Sequence, residues 1–157
     1  MSPAEPLWLT PRDVLALHGM LLAAHGGAAG LRDAGLLESA LARPRQQLTY
    51  ARPDIFELAA AYAAAIVRNH PFVDGNKRTA FLAAFTFLGV NGYDLRASEP
   101  EVVQAVLQLT DKRMPEAKFA AWLRENCIAQ RVKPRACRSG QTKSKPKTKP
   151  NPRRRKA

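Results

Sequence analysis

Leu58-Ala-Ala-Ala-Tyr-Ala-Ala-Ala-Ile-Val67 and Thr79-Ala-Phe-Leu-Ala-Ala-Phe-Thr-Phe-Leu88 are two apolar stretches separated by residues 68–78. Alanine and leucine are strong helix formers, and a helix without a polar face belongs at the centre of a domain. Asp54 stands where an N-cap is wanted, which predicts a helix from Ile55 to Asn69. Asn91-Gly92 closes the second helix. The two stretches therefore predict a pair of buried central helices bracketing one short loop, residues 70–75.

Outward from this pair the chain keeps a helical pattern. Thr10-Pro11-Arg12-Asp13 combines an N-cap, a proline at the first helical position and an acid in the first turn. That helix should run to about Ala24, before His25-Gly26-Gly27. Leu31 to Arg43 contains a short second helix that Pro44 should end, leaving Gln46 to Tyr50 as loop or a short extended piece. Ser98-Glu-Pro-Glu101 fits a capping box for a helix to about Thr110. Pro115 opens the last helix, with Phe119, Trp122 and Leu123 as its apolar stripe. The expectation is an all-α fold of about six helices with almost no strand, confined to residues 1–130.

Charge divides the chain at the same place. The net charge is +12, but residues 1–130 balance 13 Lys and Arg against 13 Asp and Glu, while residues 131–157 hold the remaining 12 cations and no acid. A nucleic-acid-binding fold cannot be argued from the pI for a body that is neutral. The 131–157 stretch has too little apolar surface to offset its ordering entropy, so disorder is expected there. It could touch nucleic acid through phosphate charge, though it has no aromatic residue to stack on bases. Cys127 and Cys137 suggest neither a zinc site nor a disulfide scaffold. No secretion signal is evident in Met1-Ser-Pro-Ala-Glu-Pro-Leu7, and no apolar run is long enough to span a bilayer. A cytoplasmic protein without membrane association is expected.

The bracketed loop, His70-Pro-Phe-Val-Asp-Gly-Asn-Lys-Arg78, concentrates the polar chemistry. Gly75, Asn76 and Lys77 fall where a helix begins, and free N–H groups with the helix dipole attract an anion there. Gly75 admits close approach of a phosphate. Lys77 and Arg78 add two cations, and Arg78 can grip phosphate oxygens in a bidentate fork. Asp74 supplies one hard oxygen, which suits Mg²⁺ held jointly with phosphates. His70 is the group in the loop suited to accept a proton from an attacking hydroxyl near neutral pH. Phe72 is expected to plug into the core. Together these are the parts of a phosphoryl or nucleotidyl transfer site. Chance agreement at six positions (His70, Phe72, Asp74, Asn76, Lys77, Arg78) is on the order of 10⁻⁸ per starting point.

This loop resembles the signature of the Fic/Doc (Fido) superfamily, and Lys77 makes it similar to the death-on-curing, or Doc, toxins of toxin–antitoxin systems. His25-Gly26-Gly27, the Gly30–Pro44 segment and Asn91-Gly92 also resemble Doc-family segments, so the likeness covers roughly residues 7 to 126. The resemblance implies a helical Fido fold, with ATP and Mg²⁺ as donor and transfer to a protein hydroxyl. It implies His70 as general base, Asp74 at Mg²⁺, and Gly75, Asn76 and Arg78 at the phosphates.

AMP-transferring Fic enzymes usually carry a second glycine where this chain has Lys77 and a second arginine where it has Phe81. Doc toxins share these departures and act as protein kinases, with elongation factor Tu as the known kind of target. The resemblance thus implies γ-phosphate transfer to a Ser or Thr of a translation factor, with AMP transfer as the alternative. A non-catalytic protein working through its basic tail is a third reading. The Ser/Thr-x-x-x-Glu-Gly/Asn inhibitory motif of many Fic enzymes is not found, which points to restraint by a separate small antitoxin.

Four residues outside the loop carry blander expectations. His18 and His25 are read as surface or cap residues, and Arg68 as an exposed helix-end cation. Tyr62 is read as a core aromatic.

Overall fold

A computed structural model describes residues 4–131. Six helices follow in order: α1 (Pro11–His25), α2 (Ala34–Tyr50), α3 (Ile55–Asn69), α4 (Asn76–Val90), α5 (Glu99–Thr110) and α6 (Glu116–Asn126). Two three-residue strands, β1 (Tyr93–Leu95) and β2 (Cys127–Ala129), pair antiparallel with Asp94 opposite Ile128. The all-α class predicted from the sequence is observed. The 131–157 stretch lies outside the described residues except for Arg131.

α3 is the axis of the domain. Every residue from Leu58 to Ile66 is buried, and the helix packs against α2, α4, α5 and α6. Its alanines let those neighbours approach closely, while Tyr62 stacks obliquely on Phe87 of α4. The Tyr62 hydroxyl accepts the Leu9 N–H at 3.3 Å, and burial pushes its acidity to higher pH. Asp54 caps α3 through the Phe56 and Glu57 N–H groups, with Glu57 reaching back to the Asp54 N–H. Arg124 of α6 pairs with the same Asp54, tying the start of α3 to the last helix.

Two expectations are corrected. Pro44 does not end the second helix: α2 runs through it to Tyr50, and Gln46 to Tyr50 are helical. An interior proline forgoes one helical hydrogen bond and ordinarily costs about 3 kcal/mol, but Pro44 is fully buried in the core. Arg43 and Gln47, on either side of it, both bond Glu116 of α6, at 2.7 and 3.4 Å. Tertiary anchoring of this kind overrides the local signal. The second correction concerns α4, which is not enclosed on every side. Ala80, Ala83, Ala84, Phe87 and Leu88 are buried, but Phe85 is 40% exposed and stacks on Phe81 at 6.0 Å. α4 is covered on the face turned to α3 and α1, and its outer aromatic pair lies at the surface.

No helix among the described residues is long and apolar enough to cross a membrane.

Candidate active site

The loop between α3 and α4 is built from a left turn at each end. His70 is the C-cap of α3 with φ 51°, and Gly75 is the N-cap of α4 with φ 80°. The left-handed conformation costs a residue with a Cβ about 1–2 kcal/mol, so His70 must be held in it from outside. Gly75 takes the same conformation without that cost, and a Cβ there would stand 3.6 Å from the His18 ring.

Phe72 is the anchor, fully buried as expected. Asn76 pins the turn around it. Its Oδ1 accepts the Phe72 N–H at 2.9 Å, and its Nδ2–H donates to the Phe72 carbonyl at 2.8 Å. The same amide nitrogen lies 3.1 Å from Nδ1 of His70. With 3% of its surface exposed, Asn76 uses its side chain to shape the loop, so only its main-chain N–H is left for an anion.

The start of α4 is open. α1, α2 and α3 close their first turns with Thr10, Asp33 and Asp54 side chains, whereas α4 has no side-chain cap. The N–H groups of Asn76, Lys77 and Arg78 belong to the first turn and have no intrahelical acceptor. These three residues line a cleft of about 470 Å³ together with His25, Gly26, Gly27, His70 and residues 73–75. His70, Asp74, Lys77 and Arg78 are all exposed to it. The cleft therefore gathers an imidazole, a carboxylate, two cations and an unsatisfied helix N-terminus.

Asp74 is fixed from two sides. Its Oδ2 accepts the Ala28 N–H at 3.3 Å, and its Oδ1 accepts the Gly75 N–H at 2.7 Å. Gly27 makes this approach possible: a Cβ there would meet Oδ2 at 2.7 Å. No group of three or more His, Cys, Asp or Glu suited to a metal exists among the described residues. A single exposed carboxylate beside an uncapped helix start fits Mg²⁺, which keeps several waters and takes one or two carboxylates with substrate phosphates.

Two positioning groups escape a reading of the loop alone. His18 is not a surface residue: it is 5% exposed, its ring lies parallel to Phe72 at 3.9 Å, and its Nε2–H donates to the Asp74 carbonyl at 2.8 Å. Its spacing of four from buried Val14 puts both on one face of α1, and that was the available signal. Arg32 donates from Nε to the His70 carbonyl at 2.8 Å and from Nη2 to the Asn69 carbonyl at 2.9 Å. Its partners are 37 and 38 residues away in sequence, so no local pattern announces it. His25 is exposed, as expected of a residue at a helix end, but it lines the cleft. Arg68 is exposed and lines a different cavity, with Val67, Leu109 and Met114.

Fold and site together define a helical domain that presents a histidine and a carboxylate at an uncapped, cation-flanked helix start, the arrangement of a phosphate-handling transferase. A model of the Fic/DOC family matches residues 8–88, which includes the whole loop. The chain is 46% identical over 93 residues to Toxin Doc of Mycolicibacterium smegmatis, covering 57% of this chain and 68% of that protein. It is 32% identical over 117 residues to Protein kinase doc of Escherichia phage P1, covering 74% of this chain and 92% of that protein. The chain belongs to the Fic/DOC family.

Proposed function

We propose that this chain is a Doc-type toxin kinase that moves the γ-phosphate of ATP to a Ser or Thr hydroxyl of a translation factor of the elongation factor Tu kind, and that a small antitoxin restrains it. The relatives named Toxin Doc and Protein kinase doc support this reading. The observation that carries it is the exposure of His70 on the same cleft as Asp74 and the uncapped start of α4.

The residues divide the work as follows. The N–H groups at the start of α4 and the Arg78 guanidinium bind phosphate oxygens, with Gly75 keeping the backbone accessible. His70 takes the proton of the attacking hydroxyl onto its ring. Asp74 would hold Mg²⁺, which when bound offsets phosphate charge. Lys77 places a long cation at the cleft where AMP-transferring relatives are expected to have glycine, and Phe81, which stacks on Phe85, does not line the cleft. A cleft with fewer phosphate clamps favours γ-transfer over AMP transfer. The activity is assigned to residues 1–130, with the basic 131–157 stretch outside the catalytic machinery.

Incubation of the protein with cell extract and either γ-labelled or α-labelled ATP tests the proposal. Label should reach protein from the γ position and depend on Mg²⁺. His70→Ala should reduce transfer by about 10²–10⁴-fold, the usual contribution of a general base, with little change in melting temperature because His70 is exposed. Label arriving only from the α position would replace the kinase by a nucleotidyl transferase.

A further inference from the structure

The direction in which the His70 imidazole leaves the backbone depends on φ and ψ at that residue. Those two angles are the relative orientation of the two peptide planes that meet at its Cα. One plane carries the Asn69 carbonyl and the other the His70 carbonyl. Arg32 bonds both: Nη2–H to Asn69 at 2.9 Å and Nε–H to His70 at 2.8 Å. A guanidinium is a rigid planar fork, so two of its N–H groups set the angle between the carbonyls they hold.

The fork is itself held. The Arg32 main-chain N–H donates to the Pro71 carbonyl at 2.7 Å, so three consecutive carbonyls of the loop, at 69, 70 and 71, end on one residue. Asp33 N–H also reaches the Pro71 carbonyl, and the Val73 N–H donates to the Gly30 carbonyl at 3.1 Å. Leu31 and Phe72 form an isolated antiparallel bridge. The segment before α2 is thus laced to the catalytic loop along its length, and Arg32 is where its side chain meets the backbone of His70. A helix C-terminus alone attracts a cation, but it does not require a fork spanning the last helical residue and a left-handed cap.

We propose that Arg32 is a positioning residue for transfer: it holds His70 in the left-handed conformation that presents the imidazole to the cleft. The proposal rests on the reading of His70 as the base. It predicts that loss of the fork reduces the rate of transfer without weakening nucleotide binding, because Arg32 does not line the phosphate cleft.

Full-length wild type, Arg32→Met, Arg32→Lys and His70→Ala are compared with γ-labelled ATP and cell extract. The maximal rate and the half-saturating ATP concentration are measured separately, and the three-bond amide coupling and carbon shifts of His70 are read by NMR. Arg32→Met should lower the maximal rate by about 10- to 100-fold, the scale of a misplaced catalytic group, with half-saturation within about threefold. Its His70 signals should leave the left-handed range. Arg32→Lys keeps the charge and one donor but cannot bridge both carbonyls, so it should fall between the two. Should Arg32→Met fail to fold, the lysine variant alone decides. A folded variant with an unchanged maximal rate and unchanged His70 signals, beside an inactive His70→Ala, overturns the Arg32 proposal. Wild-type transfer by His70→Ala instead overturns the base reading, and the NMR comparison then still reports whether Arg32 sets the conformation of His70.

Discussion

His18 donates from Nε2 to the main-chain carbonyl of Asp74 across 2.8 Å. The middle of α1 is thereby bonded to the backbone of the loop's acid. The ring also covers one face of Phe72, so a single buried side chain supports both the anchor of the loop and the backbone of its acid. His18→Ala removes the stack and leaves a carbonyl without its donor. We expect a loss of about 2–4 kcal/mol in urea unfolding, from an orphaned polar group and a lost aromatic contact, with reduced transfer activity. His18→Phe keeps the stack and should lose less stability. Equal stability of wild type and His18→Ala would mean that the loop holds itself.

Gly27 faces the same acid from the other side. With φ 118° and a Cβ that would sit 2.7 Å from Asp74 Oδ2, Gly27→Ala must both strain its backbone and displace the carboxylate. Stability should fall by about 1 kcal/mol or more. The Mg²⁺ concentration needed for half-maximal transfer should rise, while Gly26→Ala, whose Cβ would meet nothing within 4 Å, should not raise it. A metal titration of the two variants gives the comparison, and identical curves would detach Asp74 from metal binding.

The sequence was legible where the chemistry is local. Asp54 with Glu57 and Thr10 with Asp13 close turns three residues apart, and Glu101 reaches back to the Ser98 N–H and hydroxyl. The buried run of α3 follows directly from its alanines and leucine. Pro44 misleads because the residues that carry α2 past it bond Glu116, about 70 residues on. The outer face of α4 misleads differently: Phe81 and Phe85 are apolar enough to suggest burial, yet their partner is each other. In the site, the loop's own residues could be read, but the groups that aim them could not. Arg32 and His18 act across 38 and 56 residues of sequence, and only the fold brings them to the loop.

Acid should loosen the first helix through its cap. Asp13 accepts the Thr10 N–H and hydroxyl, each at 2.8 Å, and these bonds, the backbone one foremost, hold its carboxyl below the ordinary value. A lowered carboxylate contributes stability that is complete above its unfolded pKa of about 4 and is lost as pH falls through the lower folded value. The melting temperature of wild type should therefore exceed that of Asp13→Asn above about pH 5, and the gap should close on acidification below about pH 4. Asp13 is exposed, so the gap will be modest. A gap independent of pH would show that the cap acts through shape and not through charge.

Asn76 offers the most severe test of how the loop is built. Its amide satisfies the N–H and the carbonyl of Phe72 and reaches the His70 ring, all while buried. Asn76→Ala strands two buried backbone groups at once, each costing about 1–3 kcal/mol. Asn76→Asp keeps the acceptor, turns the donor into an oxygen facing the Phe72 carbonyl, and buries a carboxylate whose one ionisable contact is the His70 ring. Both should destabilise the protein by at least about 2 kcal/mol in denaturant unfolding, with the aspartate variant recovering part of the loss at low pH, where its carboxyl is neutral and can donate. Lys77→Ala, one residue on and exposed, should leave stability within about 0.5 kcal/mol. If Asn76→Ala were as stable as Lys77→Ala, the loop would be fixed by Phe72 burial and the segment before α2 alone, and the side chain of Asn76 would be free to serve a phosphate.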